Sequence, residues 1–130
     1  MKVIDTSALV KLLLKEEGWV KVLDHLKEGA VSVDFTVKEA ANVVWRRTGS
    51  SIEKAEPMLQ ALRELDGKAL EIEDEKKYLD EALKIAFSNN ITVYDALYLT
   101  LAKTLKIPLV TSDRKQAKIA EKLRIQTITI

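Results

Sequence analysis

"MKVID", residues 1–5, is a short apolar strand that ends in a carboxylate, and "PLVTSD", residues 108–113, repeats the pattern near the other end of the chain. Each is followed at once by a helical pattern. A strand that runs straight into a helix is the building unit of a parallel α/β sheet, because parallel neighbours need a crossover to return the chain to the same edge. In such sheets ligands bind outside the carboxyl ends of the strands. Asp5 and Asp113 both fall at such ends.

Working outward from these two stretches, the same alternation fills the chain. Ser7 to Glu16 reads as a helix with Leu9, Leu12 and Leu13 on one face, and "WVKVLDHLKEG" (19–29) as a second amphipathic segment after Gly18. "AVSVD" (30–34) is a short strand. "TVKEAANVVWRR" (36–47) is a helix with Thr36 as its N-cap and Glu39 three residues on, the spacing of a capping box. "SSIEKAEPMLQALRELDG" (50–67) repeats that signature through Ser50 and Glu53, with Pro57 expected to kink or restart it. "KALEIE" (68–73) is a strand, "DEKKYLDEALKIAFSNN" (74–90) one long helix, and "TVYDALYLTLAKTLK" (92–106) a helix with an unusually apolar face. "IPLVTSD" (107–113), "RKQAKIAEKL" (114–123) and "RIQTITI" (124–130) complete the series as strand, helix and strand. The pattern predicts a three-layer α/β/α sandwich around a central parallel sheet, a single domain over residues 1–130.

Composition narrows the chemistry. The chain has 130 residues, 47% of them hydrophobic, enough for one domain with its own core. It has no Cys and one His, which excludes thiolate nucleophiles and Cys-based zinc sites and leaves oxygen as the ligand for any metal. With 21 Lys and Arg against 20 Asp and Glu, bulk charge does not attract nucleic acid, and a polyanionic partner needs a local basic patch. No apolar run approaches the ~20 residues that span a bilayer, and the N-terminus lacks a signal-peptide layout, so a cytoplasmic protein is expected.

Two further acids belong with Asp5 and Asp113. Asp95 lies in the first turn of the apolar helix after Thr92, and Glu39 in the first turn of another. Helix N-termini in a parallel sheet point to the edge where the strands end, so all four can converge. Singly, Asp5 and Asp113 are helix caps and Glu39 half of a capping box. Together they form an anionic cluster that a hard cation, Mg²⁺ or Mn²⁺, would neutralise. That arrangement suits metal-assisted phosphoryl chemistry. Ser7, just past Asp5, and Arg114 and Lys115, just past Asp113, are the candidate substrate-binding residues. Thr6 and Thr111 are expected to satisfy helix-end donors, His25 to lie on the surface, and Trp19, Phe87, Tyr94 and Tyr98 to pack in the core or an interface.

The order of "VIDTSALVKLLL" (3–14), "EAANVVWRR" (39–47), "TVYDALYLTLA" (92–102) and "PLVTSDRK" (108–115) resembles the PIN domain family, and within it the VapC-type toxins. The resemblance spans nearly the whole chain. It implies a metal-dependent endoribonuclease with Asp5, Glu39, Asp95 and Asp113 as catalytic and metal-binding residues, RNA as substrate, and Mg²⁺ or Mn²⁺ as cofactor. It also implies a homodimer inhibited by a cognate antitoxin; the apolar stretches "NVVW" (42–45) and "LQALREL" (59–65) would supply the dimer interface. Asn42 matches a frequent Asn of the family in that helix. Where some relatives carry another acid after the last Asp, this chain has Lys115, Gln116 and Ala117, so a second metal site lacks that ligand.

Rival readings fit less well. A haloacid dehalogenase phosphatase needs an acid two residues after Asp5, where Ser7 stands, and a dinucleotide fold needs a Gly-rich turn that is absent. A catalytically silent PIN-like binding module, or a housekeeping RNA-processing nuclease, is the alternative within the same fold.

Overall fold

Val3 and Ile4 are adjacent in the first strand, both sealed from solvent, and belong to different cores. Alternate residues of a strand point to opposite faces, so this sheet must be covered on both sides. The structure, a computed structural model, describes residues 1–130 and shows how. Five strands, β1 (Lys2–Ile4), β2 (Ala30–Val33), β3 (Leu70–Glu73), β4 (Leu109–Thr111) and β5 (Thr127–Thr129), form one sheet in the order β3-β2-β1-β4-β5. All neighbouring pairs are parallel, with Val3 opposite Val31 on one side and Leu109 on the other.

Seven α-helices cover the two faces: α1 (Thr6–Leu14), α2 (Trp19–Lys27), α3 (Phe35–Arg47), α4 (Ile52–Leu65), α5 (Leu79–Asn89), α6 (Val93–Leu105) and α7 (Arg114–Lys122). One core joins Ile4, Ala30 and Val110 to Leu9 and Leu13 of α1, Val22 and Leu26 of α2, Val44 of α3 and Leu62 of α4. The other joins Val3, Val31 and Leu109 to α5 and α6, whose residues Ala96 to Ala102 are buried without a break. The apolar face that the sequence shows in α6 is thus the face turned to this core. No helix is long and apolar enough to cross a membrane.

The chain moves outward from β1 through β2 to β3, then crosses back to place β4 on β1's other side. The strand order therefore reverses between β1 and β4. At that point the loops leave the sheet in opposite directions and open a crevice.

Several local expectations are corrected. Thr36 does not cap α3: it is fully buried, and the first free N–H of the helix, that of Phe35, donates instead to Glu75 Oε2 at 2.8 Å. Glu75 N–H returns a bond to Asp34 Oδ1 at 3.0 Å, so the cap comes from a distant segment. In α4 the cap is Ser51, not Ser50, which takes a positive φ of 65°. Pro57 does not restart α4, which runs unbroken; Glu53 and Pro57 are both exposed, so water can satisfy the carbonyl that proline leaves unpaired. The long helix expected from Asp74 opens with a 3₁₀ turn, Glu75–Tyr78, before α5. His25 is half-buried, with Nδ1 sealed and unpartnered, rather than free on the surface. Phe87 and Tyr94 are exposed at 79% and 55%, although Tyr94 stacks on Phe35 with centroids 4.4 Å apart.

The two-core arrangement has a direct check in urea unfolding. Leu99→Ala, at a fully buried site in α6, should cost on the order of 3 kcal/mol through the cavity it leaves. Leu105→Ala, at the exposed end of the same helix, should cost under about 1 kcal/mol.

Candidate active site

Asp5 leaves β1 in an extended conformation (φ −90°, ψ 171°) and caps α1, as a carboxylate at a strand-to-helix junction should. Its Oδ1 accepts from Ala8 N at 3.1 Å and from Ser7 Oγ at 2.6 Å. Asp113 does the same for α7: its Oδ1 accepts from Lys115 N at 2.9 Å and Gln116 N at 3.3 Å. The capping role and the site role therefore coexist. In both residues Oδ1 takes the capping bonds and leaves Oδ2 without one.

A chain of hydroxyls links the two junctions. Asp113 N–H donates to Thr111 Oγ1 at 3.1 Å, Thr111 and Ser7 hydroxyls pair at 3.1 Å, and Ser7 donates to Asp5. Because Ser7 gives its only proton to Asp5, Thr111 is the donor in the middle pair. Ser112 N–H also donates to Ser7 Oγ at 2.9 Å. Ser7 is thus the bolt between the ends of β1 and β4.

Asp95 is the third residue of α6, whose cap Thr92 accepts from Asp95 N–H at 3.1 Å. Gln116 of α7, buried, donates to the Asp95 carbonyl at 2.8 Å and so holds the first turn of α7 against that of α6. Glu39 stands one turn into α3. Beneath it a buried trio of hydroxyls joins three elements: Thr6 Oγ1 lies 2.8 Å from Thr36 Oγ1 and 2.7 Å from Tyr98 OH. Tyr98 OH reaches Glu39 Oε1 at 3.5 Å, the limit of a hydrogen bond. Each member lies beside or one turn from an acid: Thr6 by Asp5, Thr36 by Glu39, Tyr98 by Asp95.

The four acids line one cleft of about 400 Å³, together with Thr6, Ser7, Asn42, Tyr98 and, on its far side, Glu16, Arg46 and Arg47. Ser7 and Asn42 are where the sequence places them. Arg114 and Lys115 are exposed and lie outside the lining, although Lys115 is close enough to favour the charged form of Asp95. Sequence reading missed Gln116, the hydroxyl trio and the two arginines as parts of the site. A larger apolar groove, about 840 Å³ between α1, α2 and α4, lies apart from these residues.

The electrostatics are those of crowded carboxylates. Burial raises Asp5 from 3.8 to about 6, against the lowering effect of its bonds to Ser7 and the Ala8 amide and of the nearby Thr111 hydroxyl, and the charge of Asp113 raises it further. Burial, then Asp113, also raises Asp95. Tyr98 is raised by burial and by the nearby Glu39 and Asp5. An all-oxygen donor set with mutually repelling charges fits a hard divalent cation. No three acids stand at the spacing of a closed metal cage.

The fold is thus a parallel α/β sandwich with four acids lining one cleft at its topological switch point. The chain belongs to the PIN domain family, whose model matches residues 2–122. Among curated relatives, a protein named Ribonuclease VapC3 from Pyrobaculum aerophilum is 32% identical, with 89% of this chain and 92% of that protein covered. Another from the same organism, named Exonuclease VapC9, is 28% identical over 98% of this chain and 92% of its own length. Among solved structures, PAE2754 from P. aerophilum has a TM-score of 0.70 at 23% identity, covering 94% of this chain and 90% of its own. VapBC2 from Rickettsia felis, solved bound to a DNA fragment from its promoter, has a TM-score of 0.69 at 18% identity, covering 98% and 97%. At these identities the two structures speak to the fold.

The Asp5 shift makes a signed statement about stability. The folded protein holds this proton more tightly than the unfolded chain does, so the contribution is complete below about pH 3.8 and is lost as pH rises through about 6. The difference is worth roughly 3 kcal/mol. In EDTA, Asp5→Asn should therefore gain on wild type by about that amount between pH 4 and 7.5, read from urea midpoints. Parallel pH profiles for the two proteins would contradict the assignment.

Proposed function

We propose that this protein is a divalent-cation-dependent endoribonuclease, the toxin of a toxin–antitoxin pair, acting in the cytoplasm as a homodimer. The observation that carries the reading is the convergence of Asp5, Glu39, Asp95 and Asp113, from four separate elements, on one cleft at the switch point. The names of the curated relatives support the nuclease class. When bound, Mg²⁺ or Mn²⁺ supplies an activated water and offsets charge on the phosphate. Asp5, Asp95 and Asp113 are the residues to hold it, with Glu39 set beside them by the Tyr98 hydroxyl. Ser7 keeps the two strand ends in register, so the carboxylates are positioned before substrate arrives.

The antitoxin reading is supported by the VapBC2 neighbour and by the groove between α1, α2 and α4. Leu12, Leu14, Leu23, Met58 and Leu65 line it, and Lys15, Lys54 and Lys68 stand around them. An amphipathic segment with acidic flanks is the complement of such a surface. For the dimer, Val44 and Leu62, in the stretches expected at the interface, are buried in the chain's own core. Free apolar surface remains at Trp45, within the first of those stretches, and along α5 at Leu79, Leu83 and Phe87 on one face.

One relative is named an exonuclease, so the mode of cleavage needs its own test. With Mg²⁺ or Mn²⁺ the protein should cut a circular single-stranded RNA, which has no end to digest, and EDTA should stop it. Asp95→Asn should lower kcat by roughly a hundredfold or more at unchanged circular dichroism. Cleavage of linear RNA alone would replace the endonuclease reading with an exonuclease one. Wild-type rates in the variant would remove Asp95 from the site.

A further inference from the structure

The cleft holds five carboxylates, those of Asp5, Glu16, Glu39, Asp95 and Asp113, and two guanidinium groups, those of Arg46 and Arg47. The arginines are not scattered around it. Glu39, Asn42, Val43, Arg46 and Arg47 follow one another at helical spacing, so a single face of α3 lines the cleft from its acidic end to its basic end. Arg47 donates to Glu16 at 2.7 Å and is neutralised there. Arg46, one position back, makes no ion pair and is exposed. The plain reading of two arginines in a last helical turn is that they oppose the helix dipole. It does not explain why an unpaired guanidinium shares a cleft with five acids and binds none of them.

We infer that Arg46 anchors a phosphate-binding subsite for a single RNA strand laid along α3, a few nucleotides from the phosphate at the acids. The inference rests on the nuclease reading for the identity of the strand. From Glu39 to Arg46 the helix rises about 10 Å, roughly two phosphate spacings of a single strand. A planar guanidinium can take two oxygens of one phosphate in parallel hydrogen bonds, a geometry no lysine reproduces. A strand held there has its next phosphates directed toward the carboxylates. The Arg47–Glu16 pair closes the same end of the cleft without adding net charge. A backbone phosphate carries no base identity, so this subsite sets position and affinity and not sequence.

The test is RNA binding by fluorescence anisotropy in EDTA, where cleavage is blocked, across a range of NaCl, with kinetics in Mg²⁺ as a second readout. Arg46→Gln should weaken binding of a short labelled RNA about tenfold, equally for oligo-U and oligo-A, and reduce the slope of log affinity against log salt by roughly 0.7. In Mg²⁺ it should raise KM with little change in kcat. Arg46→Lys should restore the salt slope but only part of the affinity. Arg63→Gln, on the exposed face of α4, should leave binding unchanged. If Arg46→Gln matches wild type in affinity and slope, the subsite is overturned. If wild type binds RNA with Arg46 dependence yet cleaves none, the nuclease reading fails and the subsite stands. If wild type neither binds RNA in EDTA nor cleaves it in Mg²⁺, both fall.

Discussion

Burying the Asp5 carboxylate at the end of the central strand opposes folding, and the structure around it answers that cost group by group. The residue is 4% exposed, and desolvation alone would drive it to protonate. The Ala8 amide, the Ser7 hydroxyl and Thr111 act in the other direction. Ser7 can do so only because β4 lies beside β1, which brings Thr111 and the Ser112 amide to it. The strand order, the capping of α1 and the hydroxyl chain are therefore parts of one solution to a single buried charge. Asp113, which comes with β4, adds repulsion to the same place. A protein selected for stability alone would not gather these acids, so their gathering is evidence for what the site must hold.

The supporting shell is built on the other side by the Thr6, Thr36 and Tyr98 hydroxyls. Three buried hydroxyls that bond to one another are satisfied without charge, and they pin α1, α3 and α6 where each of those helices carries an acid. Gln116 does the same between α6 and α7 through the Asp95 carbonyl. The first turns of four helices are thus cross-braced by neutral polar groups, while the carboxylates themselves stay free of salt bridges.

What the sequence revealed followed from local pattern. Strands ending in Asp5 and Asp113 are visible because the apolar run, the acid and the following helix are contiguous, and the parallel three-layer fold follows from their repetition. Asp95 stood out because an acid in "VYDALYL" conflicts with its surroundings. The errors arose where a partner is distant in the chain. The cap of α3 comes from Glu75, which no spacing rule around Thr36 could indicate, and the Tyr98–Thr6 contact joins residues far apart in sequence. Arg114 and Lys115 were singled out because they adjoin Asp113, and both are exposed outside the cleft's lining, with Lys115 near enough to act on Asp95. Arg46 was within reach of the same arithmetic, seven residues after Glu39 on one helical face, once Glu39 is taken as a marker of which face matters.

The central claim is that these four acids form one site for a divalent cation. Crystals grown with MnCl₂ and measured for anomalous scattering of manganese test it without any assumption about substrate. The account predicts a strong peak in the cleft within direct ligand distance, about 2 Å, of one or two of the carboxylates of Asp5, Asp95 and Asp113, its remaining coordination filled by waters that reach the other acids. A peak elsewhere on the protein, with none in the cleft at saturating manganese, would contradict it.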